Sequence, residues 1–317
     1  MSALFHFVLF LFVLFLYVHI IAQFKRSEDL EIYEMDYSTH TYLQEVCDIK
    51  QPILFEYKPV CPEFFEKVSV VFDKLSDDSS DDMKIKETAD YWAENADSVD
   101  YVVLPFKSAY TLVSTDTNSR YFSENNHDFV EESGLVSVFE LNNEFFKPSM
   151  TVQTKYDISI GSKGAYTPLR YHTGYRDFRC VVSGKITVKM TPMKNSKFLY
   201  PNEDYDNYEF WSPVNPWATQ KKYLHEMDKI KFLEFDVETG SVCYIPPYWW
   251  YSIRYTEENT VFCGFAYNSA MNCLANSVSW GRYFLQQSNT KKNVVKTTSK
   301  SVSFSDTDTV VEITDDK

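Results

Sequence analysis

The chain opens with a long apolar segment. Residues 3–24 are 22 consecutive positions without a charge, and only His6, His19 and Gln23 among them are strongly polar. A helix of this length spans about 33 Å, which matches a hydrocarbon core of roughly 30 Å. A cleaved signal peptide is the alternative, but no Lys or Arg precedes the run and it exceeds a usual signal-peptide apolar region. The pattern predicts a retained transmembrane anchor over residues 1–26.

The charges next to this segment predict its orientation. Lys25 and Arg26 follow the apolar run, and only the α-amino group precedes it. Positive charges flanking a membrane span favour the cytosolic side, so we expect a single-pass protein with its C-terminal domain in the cytosol. The lack of any Asn-x-Ser/Thr sequon and the six scattered cysteines agree with this orientation.

From Cys47 to about Gln287 the pattern changes to short segments that alternate between apolar and polar positions. In Lys185–Met190, for example, Ile186, Val188 and Met190 share one face of a strand. The pattern predicts strands at Ile53–Tyr57, Val68–Phe72, Arg179–Val182, Lys185–Met190, Phe232–Val237, Val242–Ile245 and Val261–Tyr267. Helical spacing is predicted at Cys61–Lys67 and Ala270–Gln287. No helices alternate with the strands, so we expect a mainly β fold with peripheral helices.

These patterns divide the chain into four parts. Residues 1–26 are the predicted transmembrane anchor, 27–46 a short stem, 47–290 the β domain and 291–317 a flexible acidic tail. The tail is rich in Ser, Thr, Asp and Lys and lacks the aromatic density of the domain, which is typical of a segment without a packed core.

Composition and motifs exclude several function classes. With 45 acidic and 31 basic side chains the formal net charge is −14, so we expect no nucleic-acid partner. Aromatic residues make up 17% of the chain, which supplies bulk for a large core. The chain contains no phosphate-binding loop, dinucleotide-binding glycine motif, serine-hydrolase elbow or paired C-x-x-C.

Three stretches carry a family resemblance: Thr167–Met190, Lys197–Trp217 and Gly240–Tyr255, which includes the segment YIPPYWW. Together they resemble the cupin-like, JmjC-related family of Fe(II)/2-oxoglutarate oxygenases, over roughly residues 47–270. The order is also similar to that of membrane-bearing homologues in large DNA viruses. The resemblance implies a double-stranded β-helix (jelly roll). It also implies an H-x-D pair before a Gly-Lys turn and a distal histidine after a Trp-Trp pair, which together hold the iron.

The matching positions do not carry these ligands. Counting back from Gly184 puts the first histidine at Tyr171 and the carboxylate at Thr173, and counting from the Trp-Trp pair puts the distal histidine at Tyr251. The family lysine for 2-oxoglutarate falls at Ile186, next to Lys185. Fe(II) needs two imidazoles and a carboxylate on one face, so the resemblance implies a degenerate metal site. We therefore predict no metal and no cofactor.

Further polar and aromatic residues lie near these positions. A one-residue shift would make His172 a ligand but would put Gly174 at the carboxylate position, so we interpret His172 as a surface or rim histidine. A possible pocket would be lined by His172, Arg170, Ile186, Lys185 and Trp249. Three arginines (Arg170, Arg176, Arg179) could bind an anion, but we expect them to pair with acids such as Asp177 and Glu209.

The sequence thus favours a membrane-anchored cupin-like protein that acts as a non-catalytic binding or scaffold protein for an unknown protein or small-molecule ligand. One alternative is an Fe(II)/2-oxoglutarate-dependent hydroxylase with a rearranged site built from His172, His225 and an Asp or Glu, for which Fe(II) and 2-oxoglutarate would be the cofactors. The other is a structural membrane or virion component.

Overall fold

A computed structural model describes residues 2–78, 81–92, 101–205 and 207–289. Its helices are α1 (Ser2–Gln23), α2 (His40–Cys47), α3 (Pro62–Asp78), α4 (Phe106–Thr115), α5 (His127–Glu132), α6 (Val136–Glu140), α7 (Asn143–Phe146), α8 (Leu224–Met227), α9 (Ala270–Ala275) and α10 (Ser277–Asn289). The predicted tail, 291–317, lies outside the described residues.

The strands are β1 (Tyr33–Glu34), β2 (Ile53–Glu56), β3 (Asp82–Glu87), β4 (Val102–Pro105), β5 (Tyr121–Ser123), β6 (Thr151–Gly161), β7 (Arg170–Tyr171), β8 (Arg176–Ser183), β9 (Lys185–Pro192), β10 (Asn202–Asp204), β11 (Glu209–Trp211), β12 (Leu233–Glu238), β13 (Ser241–Tyr244), β14 (Trp249–Tyr255) and β15 (Thr260–Ser269). They form a nine-stranded sheet in the order β1-β2-β13-β8-β15-β6-β5-β3-β4 and a six-stranded sheet in the order β10-β11-β7-β14-β9-β12. The expected mainly β class is confirmed.

Period-two alternation distributes the apolar side chains over three cores. The helix-side core packs the nine-stranded sheet against α2 to α7 and includes Phe64, Phe139, Ile158, Phe178 and Phe265. The intersheet core lies between the two sheets and includes Val181, Ile186, Val188, Ile253 and Phe262. The outer core covers the other face of the six-stranded sheet and includes Leu169, Tyr171, Phe210, Tyr248 and Trp250.

Two sequence predictions about the N-terminal third are wrong. The segment Val68–Phe72 belongs to helix α3, whose Phe64, Phe65 and Val68 are buried at helical spacing. A short apolar run cannot distinguish a strand from a buried helical segment, which explains the error. The predicted helix start at Cys61–Lys67 is confirmed, because α3 begins at Pro62.

The second wrong prediction is the separate stem over 27–46. Strand β1 pairs in parallel with β2, so this part of the segment extends the nine-stranded sheet. Helix α2 is capped by the Thr39 side chain and buries Leu43, Val46 and Cys47. The domain therefore begins near residue 32 rather than at 47, because these buried side chains belong to its core.

Helix α1 is long and apolar enough to cross a membrane, and none of its apolar span is buried against the domain. A signal sequence near the N-terminus would pass the same test of length and hydropathy. Helix α1 contacts α9, and Phe24, just past its end, lies with its ring centroid 6.2 Å from that of Tyr248. The end of α1 is thus fixed against the outer core.

Candidate functional site

Strand β7 and the residues after it present their side chains alternately to two regions. Arg170 lies between the sheets, with its guanidinium carbon 5.9 Å from the ring centroid of Tyr251. His172 follows it on the same side, and its ring centroid is 6.0 Å from that of Tyr251. Tyr171 lies on the opposite side, in the outer core, where its ring stacks on Phe210 at 5.0 Å. The residues that converge between the sheets are therefore Arg170, His172 and Tyr251.

Tyr171 and Thr173, the positions counted as metal ligands, do not converge with Tyr251, and a β-bulge explains why. In the pairing of β8 with β15, Ser183 lies opposite Val261 and Val181 lies opposite Phe262, so Val182 is an extra residue. A bulge inserts one extra residue into its strand. Residues assigned by counting across the bulge are therefore placed on the wrong face of the sheet. Counting back from Gly184 therefore gave the positions one residue too late.

His172 is not a surface histidine: its side chain is 17% exposed, which leaves the predicted rim position open. Its Nε2 lies 3.0 Å from the carbonyl oxygen of Ile245 and 3.7 Å from Oδ2 of Asp177. Burial lowers the pKa of His172, and the nearby Asp177 carboxylate offsets this only in part. The imidazole is therefore neutral at pH 7, with Nε2 protonated to donate to the carbonyl oxygen.

Arg170 is held by a buried ion-pair network. Its Nη1 donates to Oε1 of Glu124 at 2.8 Å, and its Nη2 donates to the other carboxylate oxygen. Nζ of Lys86 donates to Glu124 at 3.2 Å, to Glu209 at 3.3 Å and to the Tyr91 hydroxyl at 3.0 Å. Burial alone would raise the pKa of Glu124, but Arg170 and Lys86 outweigh burial and lower it to about 2. Glu124 is therefore ionised at all ordinary pH values.

A second ion pair lies beside the first. Nη2 of Arg179 donates to Oδ2 of Asp177 at 2.9 Å. Asp157 accepts backbone hydrogen bonds from Asn125 and Asn126, and burial raises its pKa against the opposing charge of Arg179. We call the residues of these two networks the intersheet polar cluster: Lys86, Glu124, Asp157, Arg170, His172, Asp177, Arg179 and Glu209.

The intersheet polar cluster is internally paired but not saturated. It has three permanent cations and four carboxylates, so its charges nearly cancel. Four buried atoms in or beside the cluster have no hydrogen-bond partner among the described residues: Nε of Arg170, Nε of Arg179, Oδ1 of Asp177 and the Tyr255 hydroxyl. The predicted pairing of the arginines with acids is confirmed, since Arg176 also pairs with Asp48 at 2.6 Å. Glu209, however, pairs with Lys86 instead of an arginine.

The remaining predicted pocket residues separate. Ile186 is fully buried in the intersheet core. Lys185 lies on the other face of β9 and pairs with Asp236 at 2.7 Å. Trp249 is buried in the intersheet core, where its Nε1 donates to the carbonyl oxygen of Lys50 at 3.2 Å. Only Arg170, His172, Ile186 and Trp249 of the predicted set therefore lie between the sheets.

The converging residues do not fit Fe(II). A permanently charged guanidinium cannot ligate a cation, and the buried Tyr251 hydroxyl has its pKa raised by burial, which disfavours a phenolate ligand. The rearranged set is also separated, since His225 lies in α8, next to Tyr223 and Met227 of the outer core. In the part of the chain that the structure describes, no group of three His, Cys, Asp or Glu side chains could hold a metal.

Sequence reasoning missed Glu124, Lys86 and Asp157. Asp157 and Ser159 alternate with the apolar Tyr156, Ile158 and Ile160 in β6, which marked a polar face of a central strand. Glu124 and Lys86 are brought in by β5 and β3, whose pairing could not be read from sequence. The signal for Asp157 was therefore present, whereas its partners depended on topology.

Comparison with known proteins agrees with this architecture. A family model described as a cupin-like domain matches residues 32–273, well over half of the chain. JmjC domain-containing protein D of Dictyostelium discoideum is 28% identical over 98 residues, which are 30% of this chain and 21% of that protein. The aligned region is therefore only about a fifth of that relative. On the extent of the family match, this protein belongs to the cupin-like domain family.

Proposed function

We propose that this protein is a membrane-anchored, non-catalytic member of the family, built on a double-stranded β-helix and acting as a binding or scaffold protein. The observation that carries the proposal is the position of Arg170. It lies two residues before His172 on the same side of its strand and faces Tyr251, as the two ligands of an H-x-D pair would face the distal histidine. In this chain the pattern is Arg-x-His with a distal tyrosine.

Electrostatics supports a loss of iron binding. The Arg170 guanidinium supplies a fixed positive charge where a divalent cation would lie, and its two bonds to Glu124 hold it there. Displacing it would leave a buried cation without its carboxylate, at a cost of about 3–5 kcal/mol. The inner face of β9 supports the same conclusion for 2-oxoglutarate, because it carries Ile186, Val188 and Met190 and no cation.

The membrane part of the proposal rests on α1. An apolar helix of 22 residues that is not buried against the domain is long enough to span a bilayer, which supports an anchor. Lys25 and Arg26 at its C-terminal end favour a cytosolic domain.

Metal analysis of the full chain tests the non-catalytic part. The protein, purified in a maltoside detergent under anaerobic Fe(II) loading, should retain far less than one iron per chain and should form no succinate from 2-oxoglutarate. The triple variant Arg170→His, His172→Asp, Tyr251→His is the positive control for iron retention. Stoichiometric iron with succinate formation in the parent protein would overturn the proposal.

Membrane extraction and protease protection test the anchor. We expect the chain to keep residues 1–26, to resist sodium carbonate extraction, and to have a domain that protease digests in sealed microsomes. A mature chain that begins after residue 24 would show a cleaved signal sequence, and a protected domain would reverse the orientation.

A further inference from the structure

A pocket of about 350 Å³ lies where α1 meets the outer core. It is bounded by Phe24 and Arg26 at the end of α1, by Tyr171 of β7 and by the junction of α9 with α10. We call it the α1 pocket. It lies on the opposite side of β7 from the intersheet polar cluster, because Tyr171 alternates with Arg170.

Five of the thirteen residues that line the α1 pocket are aromatic. The ring of Tyr171 stacks on Phe210 with centroids 5.0 Å apart and lies 6.5 Å from that of Tyr248. Tyr205 packs edge-on against Phe210 at 5.7 Å. Aromatic rings that line a half-open pocket can attract a quaternary ammonium group through cation–π interaction.

Two charged residues line the pocket, Arg26 and Glu203, and Arg282 beside it donates to the Tyr205 hydroxyl at 3.0 Å. Arg26 lies over the Tyr248 ring, 4.5 Å from its centroid, and among the described residues it has no carboxylate partner. Glu203 accepts a hydrogen bond from the Tyr205 hydroxyl at 2.9 Å and lies 3.6 Å from Arg282. Both charges act on the pKa of Tyr171, which burial and Glu203 raise and Arg26 lowers, so Tyr171 lies within reach of both.

The location of the pocket indicates which molecule supplies its ligand. Arg26 is three residues beyond the end of the apolar helix, at the level where a span of this length leaves the hydrocarbon region. Val278 lines the pocket and is 68% exposed. Leu274 lies on the neighbouring helix α9, which α1 contacts, and is 43% exposed. Exposed apolar side chains therefore lie beside the pocket, on the helices that adjoin the end of α1.

We propose that the α1 pocket binds the phosphocholine headgroup of a zwitterionic phospholipid. Arg26 would bind the phosphate, for which guanidinium is a strong partner, and the aromatic walls with Glu203 would hold the trimethylammonium group. Of the residues that line the pocket, Arg26 and Glu203 are the charged ones, which matches a ligand with one charge of each sign. The inference rests on the proposed membrane anchoring for the source of the ligand, but the binding chemistry rests on the pocket alone.

Titration of the full chain in maltoside micelles tests the proposal, because this detergent contains neither phosphorus nor a trimethylammonium group. Phosphocholine should bind and show saturation transfer from aromatic protons to its methyl groups, and dihexanoyl phosphatidylcholine should bind at least as tightly. Arg26→Gln and Tyr205→Leu should each weaken both by about tenfold, the loss expected for one charge-assisted or cation–π contact. Lys25→Gln removes the same charge from the neighbouring position, which does not line the pocket, and should change binding less than twofold.

Several outcomes would overturn the proposal. Inorganic phosphate binding as tightly as phosphocholine would show a simple anion site, and equal losses from Lys25→Gln and Arg26→Gln would show non-specific attraction. Phosphocholine binding without binding of the short-chain lipid would assign the pocket to a free metabolite. These results are independent of iron content and of carbonate extraction, so failure of this proposal is distinguishable from failure of the proposed function.

Discussion

The charged residues on the two sides of strand β7 differ in how far they are exposed and in how they are paired. On the inner side Arg170 is 11% exposed and holds Glu124, which is 7% exposed, within a paired network. On the outer side Glu203 and Arg282 are about half exposed and 3.6 Å apart, and Arg26 has only an aromatic ring as its partner among the described residues. The inner charges are paired away from water, whereas the outer charges are partly exposed, so a ligand can reach them.

This difference separates structural charges from recognition charges. A buried pair costs desolvation and is kept only where its partners satisfy each other, so removal of one partner leaves an uncompensated charge. An exposed pair stays hydrated and contributes little to stability. We therefore expect substitutions inside the intersheet polar cluster to affect folding, and substitutions in the α1 pocket to affect binding.

The largest expected effect is a gain of metal binding on the inner side. Arg170→His, His172→Asp and Tyr251→His together would place two imidazoles and a carboxylate where the three side chains converge. They also remove one positive charge and add one negative charge, which favours a divalent cation. We expect Co(II) to bind at least about a thousandfold more tightly than to the parent chain, measured by its visible absorption in the folded protein.

The matched control uses the other side of the strand. Tyr171→His, Thr173→Asp and Tyr251→His introduce the same residue types, but Tyr171 and Thr173 line the α1 pocket while Tyr251 lies between the sheets. This variant should bind Co(II) no better than the parent. Equal gains in Co(II) affinity in the two variants would show that the side chains of β7 and the residues after it do not alternate between the two sides.

The contrast between these variants also shows which features of the fold and the site could be predicted from the sequence. The strand at Lys185–Met190 and the inward position of Ile186 followed from alternation, which needs only local spacing. The register of β7 could not be derived from alternation, because the bulge at Val182 depends on how β8 pairs with β15. Partners such as Glu124 and Lys86 lie 46 and 84 residues before Arg170, so only the folded topology brings them to it. Local periodicity therefore predicted strands such as β9 but missed β6 and the site.

The next largest effect is a loss of stability on breaking the inner network. Glu124→Gln leaves Arg170 without its bidentate carboxylate, and Lys86 keeps Glu209 as its remaining carboxylate partner. We expect the free energy of unfolding to fall by about 3–5 kcal/mol, measured by denaturant titration in detergent micelles. The double variant Glu124→Gln, Arg170→Met removes both partners and should recover at least about 1 kcal/mol. No recovery would indicate that Arg170 is not the group left unpaired.

A smaller effect is expected from pH. Because the pKa of Glu124 is lowered to about 2, below its ordinary value near 4.3, the unfolded chain binds more protons between these values. The stability that Glu124 contributes is thus complete above about pH 4.5 and is lost as pH falls toward 2. Between pH 6 and pH 3 the stability difference between the parent and Glu124→Gln should shrink by about 2 kcal/mol. An unchanged stability difference would show that the pKa of Glu124 keeps its ordinary value in the folded chain.

The smallest effect is expected for the outer acid. Glu203→Gln should change the free energy of unfolding by less than about 1 kcal/mol, because Glu203 is half exposed and its pairing with Arg282 is screened by water. The same substitution removes the negative charge that faces the proposed trimethylammonium group, so phosphocholine should bind several-fold more weakly to a chain of unchanged stability. A stability loss as large as that of Glu124→Gln would remove the distinction between the two sides of β7, because the outer charge would then also be structural. If the outer charges serve binding, Glu203→Gln must weaken phosphocholine binding and leave the free energy of unfolding unchanged.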